Sequence, residues 1–369
     1  MLERFGHGGD LLTAAEAYGG SADRFLDFSS NMNPFGPPSV VRDTIEAYAA
    51  RIHVYPDPAV RELRQALAFK HRVSEESILV GNGAAELIDL AVRDLKPQRV
   101  GLFVPCFTEY GDAALKAGAS VVTVPLDAER SFEVEAADAE RFPEAPPVLI
   151  IGSPNNPTGV RVRPEHVLEW LKQGITVVVD EAFLDFSPDA DRISLVSEAA
   201  NSDRLLVIRS MTKFYAIPGI RLGYIVAHPR RIASLRALQV PWSVNSLAQK
   251  IGCAVMNDRA YEQRTVDWLQ GERPWLTGRL REIGLHVNES DANYLLVSLP
   301  EHSKRRVSSL QREMGERGIL LRDASLFEGL DDGWFRIAIR LRQENERLLE
   351  ALGDVLGSET IVMDSEDKR

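Results

Sequence analysis

The sequence has only two cysteines in 369 residues, Cys106 and Cys253. They form no CxxC pair and no disulfide framework, which fits a reducing compartment. No apolar stretch approaches the ~18 residues of a membrane span, and the opening MLERFGHGGDLL lacks the apolar core of a signal peptide. A cytoplasmic protein with no membrane partner is therefore expected. The seven histidines show no HExxH or other ligand spacing, so no metal is expected. Positive charge is also short: 43 Lys and Arg against 54 Asp and Glu leave a net charge of −11. That balance argues against nucleic acid or an anionic membrane as a partner, and an anionic ligand would need a local cluster of arginines. There is no repeat of solenoid period and no low-complexity linker.

What remains is ordinary globular composition, 44% hydrophobic and 26% charged, in a chain long enough for roughly two domains. From about Ser77 to His228 short β-rich runs alternate with amphipathic stretches such as AAELIDLAVRDL and PEHVLEWLKQG. The runs are ILV (78–80), VGLFV (100–104), SVVTV (120–124), VLII (148–151), ITVVV (175–179), RLLVI (204–208) and GYIVA (223–227). Strands that are apolar on both faces and alternate with helices predict an α/β fold, with a mostly parallel central sheet covered by helices on both faces. After Pro229 the pattern turns helical, with a long stretch from Asp258 to Ile283 in which Pro274 predicts a kink. NYLLVSL (293–299), GILLR (318–322) and WFRIAIR (334–340) then predict a smaller α+β domain. The expected layout is an N-terminal arm over 1–45 that packs with the smaller domain, a large domain over 46–257, the smaller domain over 258–356 and a disordered tail over 357–369.

The chemically informative residues follow the carboxyl ends of predicted strands, where ligands bind in open α/β sheets. GNGAAE (81–86) follows ILV, SPNNPTG (153–159) follows VLII, Asp180 ends ITVVV as VVVDEAF, and Lys213 follows RLLVI within SMTKFYAIPGIRLGY (210–224). Ser210, Thr212 and Arg221 can hold a phosphate while the Lys213 amine reaches an aldehyde, and pyridoxal phosphate brings both groups. Alone, the run reads equally as buried hydroxyls beside a surface lysine. Asp180 can pair with a protonated pyridine nitrogen or can simply cap a turn. Asn156 precedes a proline and so favours extended geometry, in which its amide can meet a ring hydroxyl; a plain Asn-Pro turn is the other reading. Gly81 and Gly83 open a helix whose free N–H groups, with the backbone at Ala84, suit a phosphate, although GNGAAE is not a Walker loop. Tyr110, in PCFTEY, stacks on such a ring or belongs to the core.

Together GNGAAE, SPNNPTG, DEAF and the Lys213 segment resemble fold-type I pyridoxal-phosphate enzymes of the aminotransferase superfamily, over nearly the whole chain. The resemblance implies pyridoxal 5'-phosphate on Lys213, with Asp180 on the pyridine nitrogen, Asn156 on the ring hydroxyl and Tyr110 stacking. Ser210, Thr212, Arg221 and the backbone at Ala84 would hold the cofactor phosphate. Tyr55, in HVYPDP, resembles the tyrosine that reaches the cofactor of a neighbouring subunit, which implies a homodimer with shared sites. Two families within the superfamily compete. Histidinol-phosphate aminotransferases usually show DEAY, where this chain has Phe183. The segments HGGDLLTAAEAYG, LDFSSNMNPFGPP, YPDP, VPWSVN and FRIAIR are instead similar to the L-threonine-O-3-phosphate decarboxylases of cobalamin biosynthesis. That family implies decarboxylation of a small phosphorylated amino acid, with His7, Asn33, Asn156, Arg322, Arg336 and Arg340 as substrate contacts. Arg336 and Arg340, four apart on a predicted strand, should face one way, either into a pocket with Arg322 or towards solvent. His7 is either a phosphate ligand or an arm residue ordered by packing.

Overall fold

A computed structural model of the chain describes residues 8–300, 303 and 305–366, with side chains described as far as residue 357. Among the described residues the strands are, in chain order, β1 (Leu26–Asp27), β2 (Ile78–Gly81), β3 (Arg99–Val104), β4 (Ser120–Pro125), β5 (Val148–Gly152), β6 (Thr176–Asp180) and β7 (Leu205–Ser210). β8 (Gly223–Val226), β9 (His286–Val287), β10 (Tyr294–Ser298), β11 (Ile319–Leu320), β12 (Arg322–Asp323) and β13 (Trp334–Ala338) follow.

The seven apolar runs become one sheet of order β2-β8-β7-β6-β5-β3-β4. Its strands run parallel except β8, which is antiparallel to both β2 and β7. β5 and β7 are buried along their whole length. Their Val, Ile and Leu runs are unbroken because helices cover both faces: the helix Pro164–Lys172 brings Trp170 to one, and the helix Ala84–Leu95 brings Leu87 and Ile88 to the other. The chain steps outward from β3 to β4, then returns to β5 on the far side of β3. A crevice therefore forms beyond the carboxyl ends of the central strands.

The second β-rich region forms an antiparallel sheet of order β12-β13-β10-β9. GILLR, expected as a single strand, divides at Leu321: β12 stays with β13, whereas β11 pairs in parallel with β1. The N-terminal segment is thus stitched to this region, and the Ala338 N–H donates to the Phe28 carbonyl at 2.8 Å. Close by, the helix Leu11–Tyr18 lies on the helix Val307–Glu316. A β-carbon on Gly315 would lie 2.3 Å from the Tyr18 ring, so this approach needs glycine. The helix Ser39–Tyr48 packs instead against the helix Ser246–Val255 of the large-sheet half.

The helix Arg259–Glu282 passes Pro274 without interruption. The last helix spans Arg342–Glu366 and so continues over residues expected as a disordered tail. After Gly357, which costs a helix only about 1 kcal/mol, the segment has no proline to stop propagation. Among the described residues no helix is long and apolar enough to cross a membrane.

Candidate active site

A cavity of about 460 Å³ lies at the strand ends, within the range of small-molecule sites. Its far side is closed by Ser29–Met32 and by the β12–β13 corner. The predicted residues Ala84, Tyr110, Asn156, Asp180, Ser210, Thr212, Lys213, Arg221, Arg322 and Arg336 all line it.

One corner is built for an anion. The helix Ala84–Leu95 follows β2 after a two-residue link, Asn82 and Gly83, and Gly83 caps it with no side-chain bond. Its first N–H groups have no intrahelical partner and point into the crevice. Gly83 has φ 91°, and a β-carbon there would lie 2.6 Å from Arg221 Nη2. Only glycine lets the guanidinium close over the helix start. The buried Ser210 and Thr212 hydroxyls, 2.8 Å apart, complete the corner.

Asp180 and Lys213 form the floor. Asp180 Oδ2 accepts the Tyr110 hydroxyl at 2.9 Å, and Oδ1 accepts the Ala182 N–H at 3.0 Å. Burial pushes the Asp180 acid up to about 6, while these two hydrogen bonds hold it down. Burial pushes the Lys213 ammonium down to about 8; Arg336 and Arg221 push the same way, and Asp180 opposes them. An amine poised this close to neutrality is a competent nucleophile. The Tyr110 ring stands edge-on to Phe107, at 5.6 Å and 85°.

Facing this floor, Arg322 and Arg336 lie in register across the β12–β13 ladder, and both are buried. Like charges opposite one another on one sheet repel, so a carboxylate or phosphate in the cavity would stabilise the pair. Arg336 Nη2 donates to the Ser29 carbonyl at 2.7 Å and Nη1 donates to Asn156 Oδ1. Because a guanidinium only donates, this contact fixes the amide oxygen and leaves Asn156 Nδ2 as a donor to the cavity.

Other predicted residues lie elsewhere. Arg340 does not share a strand face with Arg336, because β13 ends at Ala338. Its guanidinium donates to the Asp27 carbonyl at 3.1 Å and pairs with Glu344 at 2.7 Å, joining the arm to the last helix. Asn33 is buried outside the cavity: its amide donates to the Phe214 carbonyl and Thr265 Oγ1, both at 2.8 Å. Its own N–H donates to the Lys213 carbonyl at 3.2 Å, so it secures the lysine segment. Tyr55 is 79% exposed and leans on Trp242 at 5.4 Å, away from this chain's cavity. His7 lies outside the described residues. Ser29 is a contact the sequence reading missed; its only signal was the position of Ser29 and Ser30 directly after the strand-like LDF.

These residues fit pyridoxal phosphate: the Gly83–Arg221 corner suits its phosphate, Lys213 its aldehyde and Asp180 its ring nitrogen. The pattern of the family described as aminotransferase class I and II matches residues 23–352. The chain is 37% identical to the threonine-phosphate decarboxylase of Salmonella typhimurium, over 95% of this chain and 96% of that protein. Among solved structures, the histidinol-phosphate aminotransferase of Clostridium acetobutylicum superposes with a TM-score of 0.84 at 32% identity, covering 90% of this chain and 99% of that one. The L-threonine-O-3-phosphate decarboxylase of Porphyromonas gingivalis superposes with a TM-score of 0.80 at 26% identity, covering 89% and 99%. With the family pattern spanning both halves of the cavity, the chain belongs to the aminotransferase class I and II family.

Proposed function

We propose that this protein is a pyridoxal-phosphate-dependent carboxy-lyase that converts L-threonine O-3-phosphate to (R)-1-amino-2-propanol O-2-phosphate and CO2, in cobalamin biosynthesis. The observation that carries the reading is the Arg322–Arg336 pair facing the Lys213–Asp180 floor, in a chain 37% identical to a threonine-phosphate decarboxylase. In this reading Lys213 holds the cofactor covalently and Asp180 meets the pyridine nitrogen. Asn156 donates to the ring hydroxyl, as its fixed amide orientation supports. Phe183 lines the same wall but has no hydroxyl to share that task. Tyr110 packs against the ring, and Ser210, Thr212, Arg221 and the Ala84 N–H take the phosphate.

When bound, pyridoxal phosphate supplies an electron sink for the pair released as the bond from Cα to the carboxylate breaks. Asp180, ionised, keeps the sink effective by holding a proton on the ring nitrogen. Arg322 and Arg336 hold the substrate's two anionic groups and so fix rotation about Cα. Held in this way, the carboxylate would be presented to the cofactor for cleavage of its bond to Cα. Binding energy from the remote phosphate thus orients the reacting bond. Uptake of one proton at Cα, in place of the CO2 lost, would complete the amine product.

The same reading includes a cytoplasmic homodimer in which Tyr55 reaches the cofactor phosphate of the neighbouring subunit. Tyr55, Trp242, Ile52 and Val54 are exposed, an apolar grouping that favours a covering partner.

Product analysis tests the function. With L-threonine O-3-phosphate and no amino acceptor, one CO2 and one aminopropanol phosphate should appear per substrate consumed, over many turnovers. 2-Oxoglutarate should not raise the rate. A second reading, a histidinol-phosphate aminotransferase, draws on the 32% identity to the Clostridium acetobutylicum enzyme. Glutamate formation from histidinol phosphate and 2-oxoglutarate that outpaces CO2 release would establish it instead.

A further inference from the structure

On the face of the sheet turned away from the cavity lies a buried set of charges that the proposed chemistry does not use. Side chains alternate along β6 and β7, so Val178, Asp180, Leu206, Ile208 and Ser210 look one way. Val177, Val179, Val207 and Arg209 look the other. Arg209 is only 2% exposed, yet it carries a full charge. Its Nη1 donates to Glu181 Oε2 at 2.9 Å and its Nη2 donates to Asp185 Oδ1 at 2.5 Å. Glu181, also 2% exposed, accepts the Ser194 hydroxyl at 2.7 Å and the Leu195 N–H at 2.8 Å.

We infer that Glu181, Arg209 and Asp185 form an ion triad that positions the two strand ends of the site, Asp180 on β6 and Ser210 on β7. The inference rests on the proposed function, in which both residues meet the cofactor. Glu181 directly follows Asp180, and Arg209 directly precedes Ser210. The β6–β7 ladder stops just there: its last residues in register are Asp180 and Ile208, and its last backbone bond runs from the Glu181 N–H to the Ile208 carbonyl at 2.8 Å. Ser210 stays in register with Gly223 of β8, but beyond that point no ladder holds the chain after β6 against β7. The Arg209 fork does so from below, gripping the loop after β6 at two carboxylates.

Stability alone is a poor reason for such a triad. Well-packed neutral groups of similar volume often replace buried ions at no cost, whereas removing one partner strands the others. Other polar groups on this face already have partners. Tyr224, in register with Arg209, shares a 2.6 Å hydrogen bond with His71 Nε2, and Lys70 pairs with Glu262 at 3.2 Å. The guanidinium is held by the two carboxylates and by Ser194 Oγ, which accepts from Nη1 at 3.2 Å. It is a positioning group, since it touches neither substrate nor cofactor.

The test uses the holoenzyme and replaces the triad as a unit, Glu181→Gln with Arg209→Met and Asp185→Asn, which strands no charge. This variant should unfold near the wild-type temperature. Its kcat should fall about 10²-fold, the usual cost of misplacing reacting groups by an ångström. Its dissociation constant for pyridoxal phosphate, read by equilibrium dialysis, should rise about tenfold, while KM stays unchanged because Arg322 and Arg336 are untouched. Arg209→Lys keeps the charge but loses the fork, and should fold and retain about a tenth of the wild-type kcat. It decides the matter alone if the triple variant cannot be isolated. Wild-type kcat and cofactor affinity in either variant would overturn the inference. Wild-type protein that retains no pyridoxal phosphate would overturn both the inference and the function beneath it.

Discussion

The two walls of the cavity are built in different ways. The cofactor-facing wall is local: Ala84, Asp180, Ser210, Thr212 and Lys213 each sit within a few residues of a strand end of one sheet. The opposite wall is long-range. Arg336 reaches the Ser29 carbonyl across 307 residues of chain and Asn156 across 180. Its two guanidiniums meet only because β12 and β13 pair. The first wall repeats chemistry that any pyridoxal-phosphate enzyme of this fold needs. In the proposed function the second is where one substrate would be told from another. The difference teaches that cofactor and substrate recognition can be perturbed separately, and each wall predicts its own kinds of failure.

The largest effect should come from the floor of the first wall. Lys213→Ala should lower turnover by about 10⁴-fold or more, as loss of a covalent nucleophile does. Borohydride should then no longer fix cofactor to the peptide that carries residue 213; labelling there on any other lysine would break the assignment. Asp180→Asn should cost on the order of 10²-fold in kcat, because it removes a preorganised charge, while the phosphate corner keeps the cofactor bound. Turnover near wild type would remove Asp180 from the chemistry.

On the second wall, Arg322→Met should lower kcat/KM for the phosphorylated substrate by about 10- to 100-fold, the worth of a charge-assisted hydrogen bond. Cofactor retention, followed by absorbance, should not change. Loss of cofactor in that variant would show that the two walls are not separable.

The smallest effect is one of pH. In its proposed role Lys213 must be neutral to attack the aldehyde, and burial has lowered it from 10.5 to about 8. Capture of pyridoxal phosphate by the ligand-free protein should therefore climb about tenfold per pH unit below pH 8 and flatten above it. The same shift gives a stability sign. Between about pH 8 and 10.5 the unfolded chain holds a proton on this lysine that the native protein has released, so ligand-free stability should rise with pH through that window. Asp180 acts at lower pH in the opposite sense. Its acid is raised from 3.8 to about 6, so stability should fall as pH rises between them. Urea titrations across both windows check the two signs.

The contrast between the walls also explains what could be read in the sequence. The seven runs of the large sheet were legible because buried parallel strands are apolar throughout, and the cofactor motifs because each adjoins its strand. Arg322 and Arg336 were legible as candidates and line the cavity, whereas Arg340 does not. A two-residue side-chain period carries no information on where a strand ends, and β13 stops at Ala338. Asn33 was placed in the substrate pocket by likeness, yet its partners Phe214 and Thr265 lie far along the chain. Ser29 contributes a carbonyl, which any residue possesses, so no residue type could announce it. The division of GILLR between two sheets likewise depends on β1, some 300 residues earlier.

The most direct test of this division compares kcat/KM for L-threonine O-3-phosphate with that for plain L-threonine in the wild-type enzyme. If the paired guanidiniums use the phosphate to turn the carboxylate out of plane, threonine should be worse by about 10³-fold or more, several kcal/mol at 1.36 kcal/mol per decade. The loss should appear in kcat as well as in KM. Equal kcat/KM for the two substrates would contradict it and leave the second wall without its assigned role.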